Sequence, residues 1–191
     1  MVEQNAQRNR IPKKPIEGCR ITYRNFAGEK SQYNTTGARH FSILLDPDLA
    51  EQLSSEGFNV KYPQPRPDID PAEDRRLPTL EVTVSKDNDY IHQSVKLYLV
   101  DGDRVTKIQN DDFKSVARLD QLRYSSVDVV MSPYEWVMFE GTPNERRGVK
   151  AYLTTAYFNL ANDTDDDPFA DKYRAPYPIN PAPTNDEYPF L

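Results

Sequence analysis

Cysteine and tryptophan each occur once in these 191 residues, and histidine twice. The single thiol, Cys19, excludes an internal disulfide and a cysteine-rich metal centre and fits a reducing compartment. It is expected as a small buried or half-buried residue at a strand start. His40 and His92 stand in no spacing that suggests a nucleophile–base relay or a zinc site. Apolar runs are too short to cross a bilayer, and Met1 to Arg10 is polar with no apolar core for export, so the expected location is the cytoplasm. With 7 glycines, no phosphate-cradling glycine motif is formed, although Gly141 and Gly148 flank a loop carrying Arg146 and Arg147. The Asp163 to Asp167 cluster lacks the glycine and the later glutamate of an EF-hand loop. Neither a metal, a cofactor nor an enzymatic activity is expected.

The sequence is instead rich in charge, tyrosine and proline. Its hydrophobic fraction is 37% and its mean hydropathy is -0.79, low for a fully packed chain. The net charge of -6 is unevenly spread: seven acids against Lys172 and Arg174 give residues 161–191 a charge of -5, leaving -1 for residues 1–160. The first twenty residues carry +3, from Arg8, Arg10, Lys13, Lys14 and Arg20 against Glu3 and Glu17. A near-neutral body with a basic arm can bind an anion on one face.

Period-two alternation dominates the body. Arg20 to Phe26 and Leu80 to Val84 alternate polar and apolar residues, and Arg39 to Leu45, Ser94 to Val100, Val127 to Met131, Tyr134 to Phe139 and Gly148 to Leu160 read as further strands. Gly28 to Gly37 is a polar, hairpin-type loop. Asp46-Pro47, the following acids and a closing Gly57 predict one short helix, and a second is expected within Asp112 to Leu122. Tyr62 to Pro78 holds five prolines and must be extended or disordered. The fold class is mainly β: an OB-fold-like antiparallel barrel with extra strands, one or two short helices and a disordered acidic C-terminal tail. A jelly roll or Ig-like sandwich is the alternative. The expected division is a basic arm over 1–15, a barrel over 16–160 and a tail over 161–191.

Along this body, rings repeatedly stand next to cations. Arg20, Arg24 and Phe26 are followed by Lys30 and Tyr33, then by Arg39 and Phe41, then by Lys61 and Tyr62. Lys96 and Tyr98, Tyr134 and Trp136, Arg146, Arg147 and Lys150 continue the series. Single-stranded nucleic acid suits that combination, because bases stack on rings at roughly 1–3 kcal/mol each while Lys and Arg follow the phosphates. The same rings are ordinary strand formers that fill barrel cores. Strict alternation puts Ile21, Tyr23 and Asn25 on one face and Arg20, Thr22, Arg24 and Phe26 on the other, making Phe26 the better exposed platform. Likewise Lys96 and Tyr98 lie opposite Val95, Leu97 and Leu99, and Tyr134 and Trp136 share a face with Met138.

Tyr23-Arg24-Asn25-Phe26-Ala27-Gly28, Asn34 to Phe41, Gly57 to Lys61, Ser132 to Trp136 and Gly148 to Leu153 resemble the single-stranded DNA-binding proteins of tailed bacteriophages. That resemblance covers most of residues 16–160. It implies an OB-fold that binds single-stranded DNA without sequence preference in phage DNA replication or recombination, in the host cell cytoplasm. The Pro-rich loop and the extended N-terminal arm lie outside the residues that carry it.

The tail resembles that of bacterial single-stranded DNA-binding proteins, whose acidic ends finish in aspartates and Ile-Pro-Phe. Asp165, Asp166, Asp167 and Phe169 repeat that composition internally, and Asp186, Glu187, Tyr188, Pro189, Phe190 and Leu191 repeat it at the end. Leu191 departs from the pattern, which places Phe last. The tail is therefore expected to recruit replication, recombination or repair proteins. The alternative for the whole chain is a β-rich virion structural or interaction protein whose rings are core and whose tail is a tether. Whether the chain is monomeric or dimeric is open at this level.

Overall fold

The computed structural model describes residues 12–70, 73–86 and 94–161. The tail candidates from Asp165 to Leu191 and most of the basic arm lie outside the described residues. Eight strands form one sheet: β1 (Lys14–Asn25), β2 (His40–Leu44), β3 (Val60–Lys61), β4 (Thr79–Thr83), β5 (Lys96–Asp101), β6 (Arg104–Ile108), β7 (Tyr124–Met138) and β8 (Arg146–Leu160). Helix α1 (Pro47–Ser55) joins β2 to β3, and α2 (Phe113–Ala117), continued by a 3-10 turn over Arg118–Asp120, joins β6 to β7.

Five of these strands close on themselves. β1 pairs antiparallel with β2 and with β7, β2 with β4, and β7 with β8, while a parallel pairing of β4 with β8 joins the two ends. This is OB-fold connectivity, with α2 lying before the fourth barrel strand. Closure demands the parallel contact, because β4 and β8 run the same way once the other pairs are antiparallel. A second parallel contact, β5 with β8, attaches the β5–β6 hairpin to the barrel as extra strands.

Alternation decides the core. Phe41 and Ile43 of β2, Leu80 and Val82 of β4, Val127, Val129 and Met131 of β7, and Val149, Ala151 and Leu153 of β8 are all buried. Ala50 and Leu53 of α1 and Val116 and Leu119 of the α2 region join the same cluster. Pro47 starts α1, where its missing N–H costs nothing, and Gly57 follows it at φ +89, its carbonyl accepting from the Val149 N–H at 2.8 Å. The Asp112 carboxylate caps α2 by accepting from the Lys114 N–H. Sequence alternation suggests separate strands over Val127–Met131 and Tyr134–Phe139; the chain instead runs through Ser132 and Pro133 as the single strand β7, with a register shift at Val130/Met131. Neither β3 nor β6 is legible from alternation.

Candidate nucleic-acid interface

The outer faces of β1, β2 and β4 are polar and small. Thr22, Ser42 and Thr79 floor an open groove of about 670 Å³. One wall is the Pro-rich segment, which contributes Tyr62, Pro63, Arg75, Arg76 and Leu77, and the other is Tyr23. Tyr23 is 72% exposed and Tyr62 50% exposed. Arg20 and Lys61 complete the cationic lining, joined by the His40 ring and opposed in charge by Glu81. Lys61 reaches Glu81 at 3.3 Å across solvent, a weak contact that a phosphate can displace. Arg76 is committed locally: it forks onto Asp74 at 2.6–3.1 Å and donates to the Gln64 carbonyl at 2.7 Å. Its guanidinium holds the Asp74 carboxyl down at about 2. That pair shapes the loop, leaving Arg20 and Arg75 as exposed cations on the groove.

Tyr23 faces the groove because β1 is bulged. Thr22 pairs with Ser42 but Asn25 pairs with His40, so one extra residue sits on β1 between the two pairs. Tyr23 absorbs it at φ 48, in the left-handed region that non-glycine residues rarely adopt. Alternation therefore fails after Thr22. Phe26, the expected platform, turns inward with no exposure, stacked on Phe41 at 5.3 Å and edge-on to Phe158 at 5.4 Å. Phe41 is equally buried, being on the inner face of β2.

Two expected phosphate contacts are also structural. Arg24 donates to the carbonyls of Leu122 at 2.6 Å and Leu119 at 3.2 Å. Arg39 is 6% exposed and donates to the Asn110 side chain at 2.7 Å and its carbonyl at 3.2 Å. Arg39 is buried and Arg24 half-buried, and both guanidiniums are committed to backbone carbonyls.

The groove face continues around the barrel. Asn25, His40, Thr83, Tyr152 and Ser132 form one paired row across β1, β2, β4, β8 and β7. Beyond it, the β7–β8 hairpin carries Tyr134 opposite Lys150, Trp136 opposite Gly148 and Met138 opposite Arg146. Tyr134 meets Tyr152 edge-on at 6.0 Å, and the Lys150 ammonium lies 5.4 Å from the Tyr152 ring centre. Trp136 is half-buried, and Arg147, on the opposite hairpin face, pairs with Glu145. Lys30 and Tyr33 stand on the Gly28–Gly37 loop, where Tyr33 is 91% exposed. Asn34 braces that loop through Glu29 and Ala38. Gly28 and Gly37, both at positive φ, approach so closely that a Cβ on either would meet the other's carbonyl oxygen under 3.0 Å away. Lys96 and Tyr98 lie apart on β5, Tyr98 stacked at 4.7 Å on Tyr157. Among the described residues no cluster of three metal-ligating side chains occurs.

The sequence matches the family described as "Putative phage ssDNA-binding domain" over residues 4–180. The chain belongs to this family. No curated protein sequence matches it. Among solved structures it is similar to the single-stranded DNA-binding protein from bacteriophage Enc34. In a C-terminally truncated form that protein shares 10% identity at a TM-score of 0.43, over 79% of this chain and 87% of the other. In complex with ssDNA it gives 10% and 0.43, over 79% and 88%. A further structure of the same protein gives 11% and 0.41, over 84% and 89%.

For a phage ssDNA-binding domain, the groove holds residues that strict alternation misassigns. Of the sequence candidates it gathers Arg20, Lys61 and Tyr62, and it adds Tyr23, His40 and Arg75. The available signal for Tyr23 was its place beside Arg24 and Asn25, but nothing in the pattern marks the bulge. Arg75 lies in the Pro-rich segment, where periodicity says nothing about direction.

Proposed function

We propose that the chain binds single-stranded DNA without sequence preference along the groove between Tyr23 and Tyr62. Bases stack on these two rings, while Arg20, Arg75 and Lys61 neutralise phosphates. The observation that carries the reading is the pairing of two exposed rings with these cations across a floor of hydroxyl side chains, in a member of the phage ssDNA-binding family. The strand then continues over Tyr152, Tyr134, Trp136 and Lys150 on the outer β7–β8 face, with Lys30 and Tyr33 reaching it from the neighbouring loop. Lys96 and Tyr98 extend the contact, and Arg146 and Arg147 add charge at the hairpin end.

Acting in the host cytoplasm, the protein would coat single strands during phage replication or recombination. Residues 161–191 would recruit replication, recombination or repair proteins through their acidic and aromatic clusters, and residues 1–15 would add positive charge.

Fluorescence anisotropy of labelled oligo-dT, oligo-rU and duplex DNA across a salt series tests the reading on the full chain. Preferential oligo-dT binding that weakens with salt supports it, and Tyr23→Ala with Tyr62→Ala should then lose the preference. Equal binding of oligo-rU would make the ligand any single strand; no binding at low salt would reject the proposal.

A further inference from the structure

We infer that Asp120 and Arg24 are positioning residues for the groove: together they hold the β1 bulge that turns the Tyr23 ring outward. The inference rests on the groove reading above and concerns what gives that groove its aromatic wall.

β1 leaves its partner β2 at the Asn25–His40 pair, so the next backbone N–H groups have no ladder acceptor. Asp120, the last residue of the 3-10 turn, supplies one to each. Its Oδ1 accepts from the Phe26 N–H at 2.8 Å and its Oδ2 from the Ala27 N–H at 2.9 Å. Immediately after Tyr23, Arg24 is drawn toward the same connection by the Leu119 and Leu122 carbonyls. Its guanidinium also lies 5.3 Å from the Tyr124 ring centre, and the Tyr124 hydroxyl donates to the Leu119 carbonyl at 2.7 Å.

Tyr23 is thus bracketed. Thr22 is fixed by its pairing with Ser42, while Arg24, Phe26 and Ala27 are fixed by residues 119–122. The left-handed backbone at Tyr23 persists because its neighbours over-determine it, and strain of this kind gathers at functional sites. Neither Asp120 nor Arg24 lines the groove. Their effect on DNA is therefore indirect, and the bulge routes it through Tyr23.

A double-mutant cycle on the full chain tests this, with oligo-dT as probe and circular dichroism confirming folding. Tyr23→Ala should weaken binding by roughly 5- to 150-fold, the worth of one stacked base. In Asp120→Asn one of the two N–H groups faces an amide NH2, and affinity should fall by about fivefold in the wild-type background but less than about twofold beside Tyr23→Ala, as coupled residues require. Equal losses in both backgrounds would mean a general structural role and overturn the inference. If Asp120→Asn does not fold, Arg24→Gln takes its place in the cycle. On the unaltered protein, oligo-dT should slow hydrogen exchange of the Phe26 and Ala27 amides, and unchanged exchange also overturns it. Absence of wild-type binding, or binding that Tyr23→Ala leaves untouched, would count against the groove reading itself; binding that Tyr23→Ala weakens and folded Asp120→Asn leaves unchanged defeats only this inference.

Discussion

The indole of Trp136 lies across the backbone of Gly148, its Cζ2 only 2.7 Å from where a Cβ on that glycine would stand. The two residues are cross-strand partners, and the missing side chain is what lets the ring lie flat. Gly148→Ala should therefore lift the indole, at a cost of about 1–3 kcal/mol. As the chain has one tryptophan, its emission reports the change directly: a red shift is expected, and unchanged emission would mean that the ring can be accommodated without moving.

The reversal of Tyr23 and Phe26 separates stability from binding. Phe41→Ala, which removes the ring stacked on Phe26, should cost about 3–5 kcal/mol and leave oligo-dT affinity unchanged while the protein is folded. Tyr62→Ala should do the opposite, leaving the melting temperature nearly unaltered and weakening binding by about 1–3 kcal/mol. Thermal unfolding and anisotropy on the same samples decide; loss of affinity by folded Phe41→Ala would contradict its place in the core.

Salt dependence distinguishes cations that meet phosphate from those that hold the fold. Each phosphate contact on a single strand contributes about 0.7 to the slope of log affinity against log salt. Arg20→Ala with Arg75→Ala should flatten the slope by about 1.4. Arg24→Ala should lower affinity while leaving the slope intact, because its guanidinium is already spent on the Leu119 and Leu122 carbonyls. A flattened slope in Arg24→Ala would return that residue to the phosphate path.

Cys19 supplies a pH signature. Its thiol donates to the Val127 carbonyl at 2.9 Å, and burial pushes it from 9.0 up to about 12. A group with a raised folded pKa stabilises fully below its unfolded value and loses that contribution as pH rises through the folded one, so the window runs from about 9 to about 12. Urea midpoints of the wild type should fall more steeply than those of Cys19→Ala between pH 8 and about 10.5. Parallel curves would show that Cys19 ionises as readily folded as unfolded.

Alternation alone gives most of the barrel. Leu80, Val82 and Val84 alternate inward without interruption, and Pro47 with Gly57 brackets α1, because periodicity and cap chemistry are local properties. On β7, Tyr134, Trp136 and Met138 do share one face as their spacing requires. The site is less legible. Reading β1 as a regular strand puts Phe26 outside and Tyr23 inside, since one extra residue inverts every later side chain. Arg24 and Arg39 read as free cations because a sequence does not say which carbonyls lie nearby.

By itself the sequence determined that the chain is mainly β, that its charge is segregated, and that its rings and cations are interleaved in the pattern of a phage single-stranded DNA-binding domain. Those are properties of composition and short-range order. Only the tertiary structure decided which ring faces out, because the β1 bulge is held by Asp120, 94 positions from Phe26. It likewise decided that the Pro-rich segment walls the groove and that β8 closes the barrel in parallel with β4. Each of these depends on contacts between residues distant in the chain.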